Sequence, residues 1–194
     1  MALTPSTMQE LGTPAPEFAL QDPSGETYSL REKNIDKGLL VIFMSNHCPY
    51  VKHILERLVD NIRYYQQDGI EVVAINSNDY AAYPDDSPDN MAALTEQLDF
   101  SFPYLLDDTQ AVAKMYKAAC TPDFFLYDSE KKLVYRGQFD ASRPKGTEPI
   151  TGDDLSRAIS RLIHGEGLVE DQKPSMGCNI KWKTGNEPGY FNHA

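Results

Sequence analysis

A continuous apolar run, Leu39-Leu40-Val41-Ile42-Phe43-Met44, begins just after Gly38 and is rich in branched side chains. With no polar residue to alternate against, it predicts a central strand buried on both faces. Small polar residues, Ser45-Asn46, end the run, and the period then changes. Ile54, Leu55, Leu58, Val59, Ile62 and Tyr65 recur at helical spacing as far as Asp68-Gly69, which is the apolar stripe of a helix packed on that strand. Ile70-Glu71-Val72-Val73-Ala74-Ile75-Asn76 reads as a second buried strand. Strand, helix and strand at this spacing form a βαβ unit, so the strands are expected parallel with a right-handed crossover.

The flanks carry weaker patterns. Residues before Thr13 have little periodicity and are expected as a loose arm. Phe18-Ala19-Leu20 and Thr27-Tyr28-Ser29-Leu30 enclose Asp22-Pro23-Ser24-Gly25, the composition of a hairpin turn. Ser87 before Pro88 is a helix start, with Met91, Leu94, Thr95 and Leu98 on its apolar side. Phe102 to Leu106 is a short extended piece, after which Asp108 or Thr109 caps a helix carrying Val112, Met115 and Tyr116. Pro122 opens the apolar strand Phe124-Phe125-Leu126-Tyr127, and Asp128-Ser129-Glu130-Lys131 turns it into an antiparallel partner, Leu133 to Gln138. Asp153 or Asp154 begins a last helix with Leu155, Ile159, Leu162 and Ile163 buried and Gly165 at its end. The tail is polar and loop-like. Yet Met176, Cys178, Ile180 and Trp182 give it enough apolar surface to dock. The expected division is an arm at 1–12, an α/β domain at 13–165 and a C-terminal extension at 166–194 that packs on it.

One residue at the joint of the βαβ unit changes this from a fold into a chemistry. Cys48 falls where the first strand hands over to the helix, with Pro49 at the first helical position, where a missing N–H is harmless. A thiol there faces unpaired backbone N–H groups and the positive end of the helix dipole, and both favour the thiolate. His47 and Lys52 stand close enough in sequence to add positive charge. A free cysteine is more commonly inert core, but a strand-to-helix turn is a poor place for core, so Cys48 reads as a nucleophile.

Composition narrows the partners. The 194 residues suffice for one full core, and a formal charge of −11 argues against nucleic acid or an anionic membrane as partner. Three cysteines are not a disulfide framework and suit a reducing compartment. No secretion signal or bilayer-length apolar segment is evident, so the expected location is cytoplasmic.

The order of elements, together with Pro16-Glu17-Phe18, Asn46-His47-Cys48-Pro49-Tyr50, Ala74 to Asp79, Cys120-Thr121-Pro122-Asp123 and Gly177-Cys178-Asn179-Ile180-Lys181-Trp182, resembles the thioredoxin fold. It is most similar to the peroxiredoxin-like branch of the alkyl hydroperoxide reductase/thiol-specific antioxidant (redoxin) superfamily. That resemblance implies a central mixed sheet flanked by helices and an antioxidant or thiol–disulfide exchange activity. It also implies a cis Thr121-Pro122 bond against Cys48, with Thr121 and Pro122 as substrate contacts beside His47 and Pro49, and Cys120 near the same site. The chain departs from the thioredoxin pattern in having Val51 where the second cysteine of Cys-x-x-Cys stands, and from the peroxiredoxin pattern in having Val41 at the proline position when aligned on Cys48. Arg136, on a late strand like a peroxiredoxin's arginine, reads as a surface cation. The expected substrate is a disulfide or peroxide, with no organic cofactor. Resolution of an oxidised Cys48 then falls to Cys178, Cys120, glutathione or a thioredoxin-type partner.

Two other readings belong beside this one. His47, Cys48 and His53 with Cys120 or Cys178 form the elements of a copper or zinc site, although their spacing is not a standard one. A non-catalytic adaptor is the other. The acidic groups Asp85, Asp86 and Asp89, and Asp107-Asp108, are expected as solvated loop charge and helix caps.

Overall fold

In the computed structural model, residues 3–191 are described. In chain order the elements are β1 (Leu3–Pro5), β2 (Ala19–Gln21), β3 (Thr27–Ser29), β4 (Gly38–Phe43), α1 (Pro49–Gln67), β5 (Ile70–Asn76), α2 (Pro88–Gln97) and β6 (Tyr104–Leu106). They continue with α3 (Ala111–Met115), β7 (Cys120–Thr121), β8 (Asp123–Asp128), β9 (Leu133–Gly137), α4 (Asp153–His164) and β10 (Met176–Asn179). No helix among the described residues is long and apolar enough to cross a membrane.

The apolar run becomes β4, buried at every position because it has neighbours on both edges and layers on both faces. β5 pairs with it in parallel and β8 antiparallel, within a seven-stranded sheet of order β3-β2-β6-β5-β4-β8-β9. Alternate side chains divide between two cores. Leu40 and Ile42 meet Ile54, Leu58 and Ile62 of α1 and Leu155 and Ile159 of α4, while Leu39, Val41 and Phe43 face Val112, Tyr116 and Ile180. The mixed α/β, thioredoxin-like architecture expected from the sequence is the one observed.

Three details differ from the sequence-based expectation. The N-terminal arm is not loose: Leu3–Pro5 pairs with β10, because β10 presents a free edge that an extended segment can satisfy. The tail likewise contains a strand. At α3 Asp108 does not cap and Thr109 does so only in part, its Oγ1 accepting the Ala111 N–H at 3.4 Å; the Asp107 carboxylate accepts the N–H groups of Val112 and Ala113 at 3.3 and 2.9 Å, while Met115 turns outward.

Helix α1 carries the site at its N-terminus, so its seating matters. Leu58 is fully buried midway along it, within the core between α1 and the sheet. Leu58→Ala is expected to lower stability by about 2–5 kcal/mol, measured as a shift of the urea midpoint at constant slope. A change below about 0.5 kcal/mol would mean that α1 is not held by this core.

Candidate active site

Cys48 ends the loop after β4 and is the residue before the first turn of α1, with extended backbone (φ −65°, ψ 121°) and Pro49 at the first position. Its carbonyl accepts the N–H of Lys52 at 3.0 Å, which starts the helix. The Val51 N–H, unpaired within the helix, points at Cys48 Sγ, and the Tyr50 N–H points at Cys178 Sγ. Both sulfurs therefore lie over the same helical turn.

Cys178 arrives there on β10. This strand pairs antiparallel with β7 on one side, Cys178 opposite Thr121 and Asn179 opposite Cys120, and with β1 on the other. The approach is close enough to require glycine next door: a Cβ on Gly177 would stand 2.0 Å from the Thr121 carbonyl oxygen. The result is a Cys48 Sγ–Cys178 Sγ separation of 2.9 Å, with Cys48 Sγ also 3.1 Å from the Thr121 carbonyl. The Thr121–Pro122 bond is cis, and Thr121 Oγ1 lies 3.4 Å from Ser45 Oγ. Cys48 is fully buried and Cys178 nearly so, at 0% and 3% exposure. The joint is thus part of the core after all, because the tail covers it.

The pair is electrostatically asymmetric. Hydrogen bonding from the Cys178 thiol holds Cys48 well below the usual thiol range, against the opposing effect of burial and with help from the Val51 N–H. The Cys178 thiol is pushed strongly upward by that same bond, by burial and by the neighbouring sulfur, while the Lys181 ammonium pulls the other way. Of the two, Cys48 is the sulfur from which a proton is more readily lost.

The remaining sequence candidates separate. Cys120 is buried with its thiol 3.6 Å from the Pro122 carbonyl, and burial pushes its pKa well up. Cys178, not Cys120, is the cysteine in contact with Cys48. The His47 ring does not serve as a solvated cation beside the sulfur: its Nδ1 lies 2.5 Å from Asp86 Oδ2, and it stacks on Tyr83 at 5.4 Å between centroids. His53 bonds instead to Ser142 Oγ at 3.1 Å. Arg136 is occupied by the Gln9 carbonyl and Gln172. Among the described residues no three His, Cys, Asp or Glu side chains cluster as a metal site.

Asp86 corrects the reading of the acidic loop. It is fully buried, and it accepts from Asn46 N–H, His47 and the side-chain amides of Asn76 and Asn78. Burial alone would raise its pKa, yet the bonds from His47 and Asn78 and the His47 charge hold it below the ordinary value. Asn78 Oδ1 in turn accepts the Lys181 N–H at 2.8 Å, which ties this network to the tail. Nothing in the run Asp85-Asp86-Ser87 distinguishes the buried carboxylate from its exposed neighbour. Gly177 was legible in principle, since glycine within a strand marks close backbone approach.

Comparison with known proteins places this geometry in context. The family model described as AhpC/TSA matches residues 11–136. An uncharacterized conserved protein from Geobacillus kaustophilus is 47% identical, with 94% of this chain and 97% of that one covered, at a TM-score of 0.92. A hypothetical protein from Sinorhizobium meliloti is 46% identical over 94% of this chain and 100% of its own, also at 0.92. A peroxidoxin from Mycobacterium tuberculosis shares the fold at 17% identity and a TM-score of 0.58, covering 78% of this chain and 95% of that one. A search of curated proteins found no match.

Two outcomes follow from the sulfur geometry. Gly177→Ala forces β10 off the Thr121 carbonyl, so Cys48 and Cys178 should alkylate at least about tenfold faster in the native state, the tail's hydrogen bonds being worth only about 1 kcal/mol each. Unchanged rates would show that the strand does not guard the pair. In the second, iodoacetamide rates against pH should place the Cys48 midpoint below the free-thiol value of about 8.5. In Cys178→Ala that midpoint should move upward, because the S–H donor to the thiolate is gone.

Proposed function

The chain belongs to the AhpC/TSA family, and from that premise we propose that it is a thiol-dependent oxidoreductase with Cys48 as nucleophile and Cys178 as resolving thiol. The observation that carries this reading is the 2.9 Å contact between the two sulfurs. A thiolate within bonding reach of a second thiol is the arrangement needed to convert an oxidised Cys48 into an internal disulfide. Val51 leaves the helix without a resolving cysteine, and the tail supplies one across the cis-proline strand.

With a disulfide as oxidant, the Cys48 thiolate attacks one sulfur, the substrate S–S bond breaks, and the departing thiolate takes a proton from solvent. Cys178 then loses its proton and attacks Cys48 Sγ, releasing the second substrate thiol. The protein dithiol has given up two electrons and become the Cys48–Cys178 disulfide. With a peroxide, the Cys48 thiolate attacks one peroxide oxygen, the O–O bond breaks and the reduced alcohol or water leaves with a proton from solvent; Cys178 then attacks the Cys48 sulfenic acid and displaces water. An external thiol donor returns the protein to the dithiol. In this reading Thr121 and Pro122 form the wall of the site, with the Thr121 carbonyl 3.1 Å from Cys48 Sγ. Cys120 stays reduced behind it.

Titration with hydrogen peroxide and with oxidised glutathione, followed by acid quench and peptide mapping, tests the assignment. A Cys48–Cys178 linked peptide should dominate, and Cys178→Ser should leave a glutathione adduct on Cys48 instead. Glutathione adducts at Cys48 in the unaltered protein, with Cys178 reduced throughout, would assign the resolving step to an external thiol.

A further inference from the structure

Lys181, three residues beyond Cys178, is buried at 7% exposure. A lysine is almost never buried without a carboxylate beside it. This one has no carboxylate partner among the described residues, in a chain where Asp and Glu number 29 against 18 Lys and Arg. Its ammonium donates to the Asn179 carbonyl at 3.1 Å and to Asn179 Oδ1 at 2.8 Å, using two of its three N–H donors. It also lies 5.7 Å from the centre of the Tyr83 ring, which stacks on the imidazole of His47, the residue before Cys48. The backbone beneath the side chain is pinned: the Lys181 N–H donates to Asn78 Oδ1, and its carbonyl accepts from Asp79 N–H and Gln110. The base of this side chain is therefore fixed, and its charge is held near the two sulfurs.

The sulfur within reach of that charge is Cys178. In the reduced protein its thiol is kept protonated by the bond to Cys48, by burial and by the Cys48 charge, with the Lys181 ammonium and the Tyr50 N–H acting against them. When Cys48 becomes a mixed disulfide or a sulfenic acid, its thiolate charge disappears, and so does its hold on the Cys178 proton. Burial then stands alone against the ammonium and the helix N–H. Different groups lower Cys48: the Cys178 thiol, Thr121 and the Val51 N–H.

Resting on the oxidoreductase reading above, we infer that Lys181 is a positioning residue for the resolving step: its fixed ammonium, with the Tyr50 N–H, stabilises the Cys178 thiolate that attacks oxidised Cys48. The Cys178 proton passes to solvent, the Cys48–Cys178 bond forms, and the substrate thiolate leaves Cys48 with the bonding electron pair. From a sulfenic acid the leaving group is hydroxide, which departs as water once protonated. The first attack, by Cys48, does not draw on the ammonium. Three other titratable groups face the pair. Cys120 on β7 is kept protonated by burial, Asp123 at the start of β8 is pushed up to about 8 by burial, and His47 is bonded to Asp86. All three are common to the proteins compared below, so a difference between those proteins reports Lys181.

The test mixes reduced full-length protein with oxidised glutathione, quenches with acid at intervals, and quantifies the Cys48 adduct and the Cys48–Cys178 linkage by mass spectrometry across a pH series. In Lys181→Gln the adduct should form within about twofold of the unaltered rate, but its conversion to the linkage should slow about tenfold at pH 7. The pH midpoint of conversion should rise by about one unit, and Lys181→Arg should restore most of the rate. If Lys181→Gln does not fold, Cys48→Ser serves: without the neighbouring thiolate, Cys178 should alkylate with a midpoint below the free-thiol value of about 8.5. Unchanged conversion in a folded Lys181→Gln, equal slowing of both steps, no rescue by arginine, or a Cys178 midpoint above 8.5 in Cys48→Ser would each overturn the role of Lys181 while leaving the cysteine pair standing. If the unaltered protein forms no Cys48–Cys178 linkage at all, the resolving-thiol reading falls, and this inference with it.

Discussion

The antiparallel pairing of Cys178 with Thr121 is the contact on which the site depends. It brings a residue near the end of the chain to within 2.9 Å of Cys48, and it does so only because Gly177 offers no side chain to the Thr121 carbonyl. Backbone hydrogen bonds contribute about 1 kcal/mol each, so the two residue pairs to β7 would hold the tail weakly by themselves. Most of the hold comes from elsewhere. Ile180 is buried in the core on the far face of the sheet, worth about 1.5–3 kcal/mol, and Lys181 is clasped by Asn78, Asp79 and Gln110 through its backbone.

That clasp is itself anchored by an ionised carboxylate in the interior. Burying such a charge costs several kcal/mol unless its lone pairs are filled, and Asp86 fills them with the Asn46 N–H, His47 and two side-chain amides. The same network fixes the loop that delivers Cys48 and the strand end that grips the tail. Cys48 and Cys178 are therefore positioned from one polar centre, although they are 130 residues apart in sequence.

Burial and hydrogen bonding act on the two sulfurs in opposite ways. Desolvation disfavours a thiolate at either position, yet the Cys178 S–H and the first-turn N–H of Val51 converge on Cys48 and outweigh it. Cys120 has burial without such donors and stays protonated. Position at a helix N-terminus is thus only part of the reason that Cys48 differs from the other two; the donor brought by the tail is the larger part.

Local periodicity alone determined much of this molecule. The buried β4, the stripe of α1, the parallel β5, the Ser87-Pro88 helix start and the antiparallel β8–β9 pair all follow from period and turn chemistry, which act between neighbours in sequence. The joint bearing Cys48 was legible for the same reason, being a change of period with a proline behind it. What the chain order could not reveal was contact between distant segments. Asp86 and Asp85 are alike as letters, and only the packing of the β5 end and the tail around one of them makes it a buried hub. The N-terminal residues carry too little pattern to predict a strand, and become one because β10 offers an edge. That Cys178 rather than Cys120 meets Cys48 was decided by tertiary pairing, since a strand's partner is set by which edge it can reach and what its glycine allows.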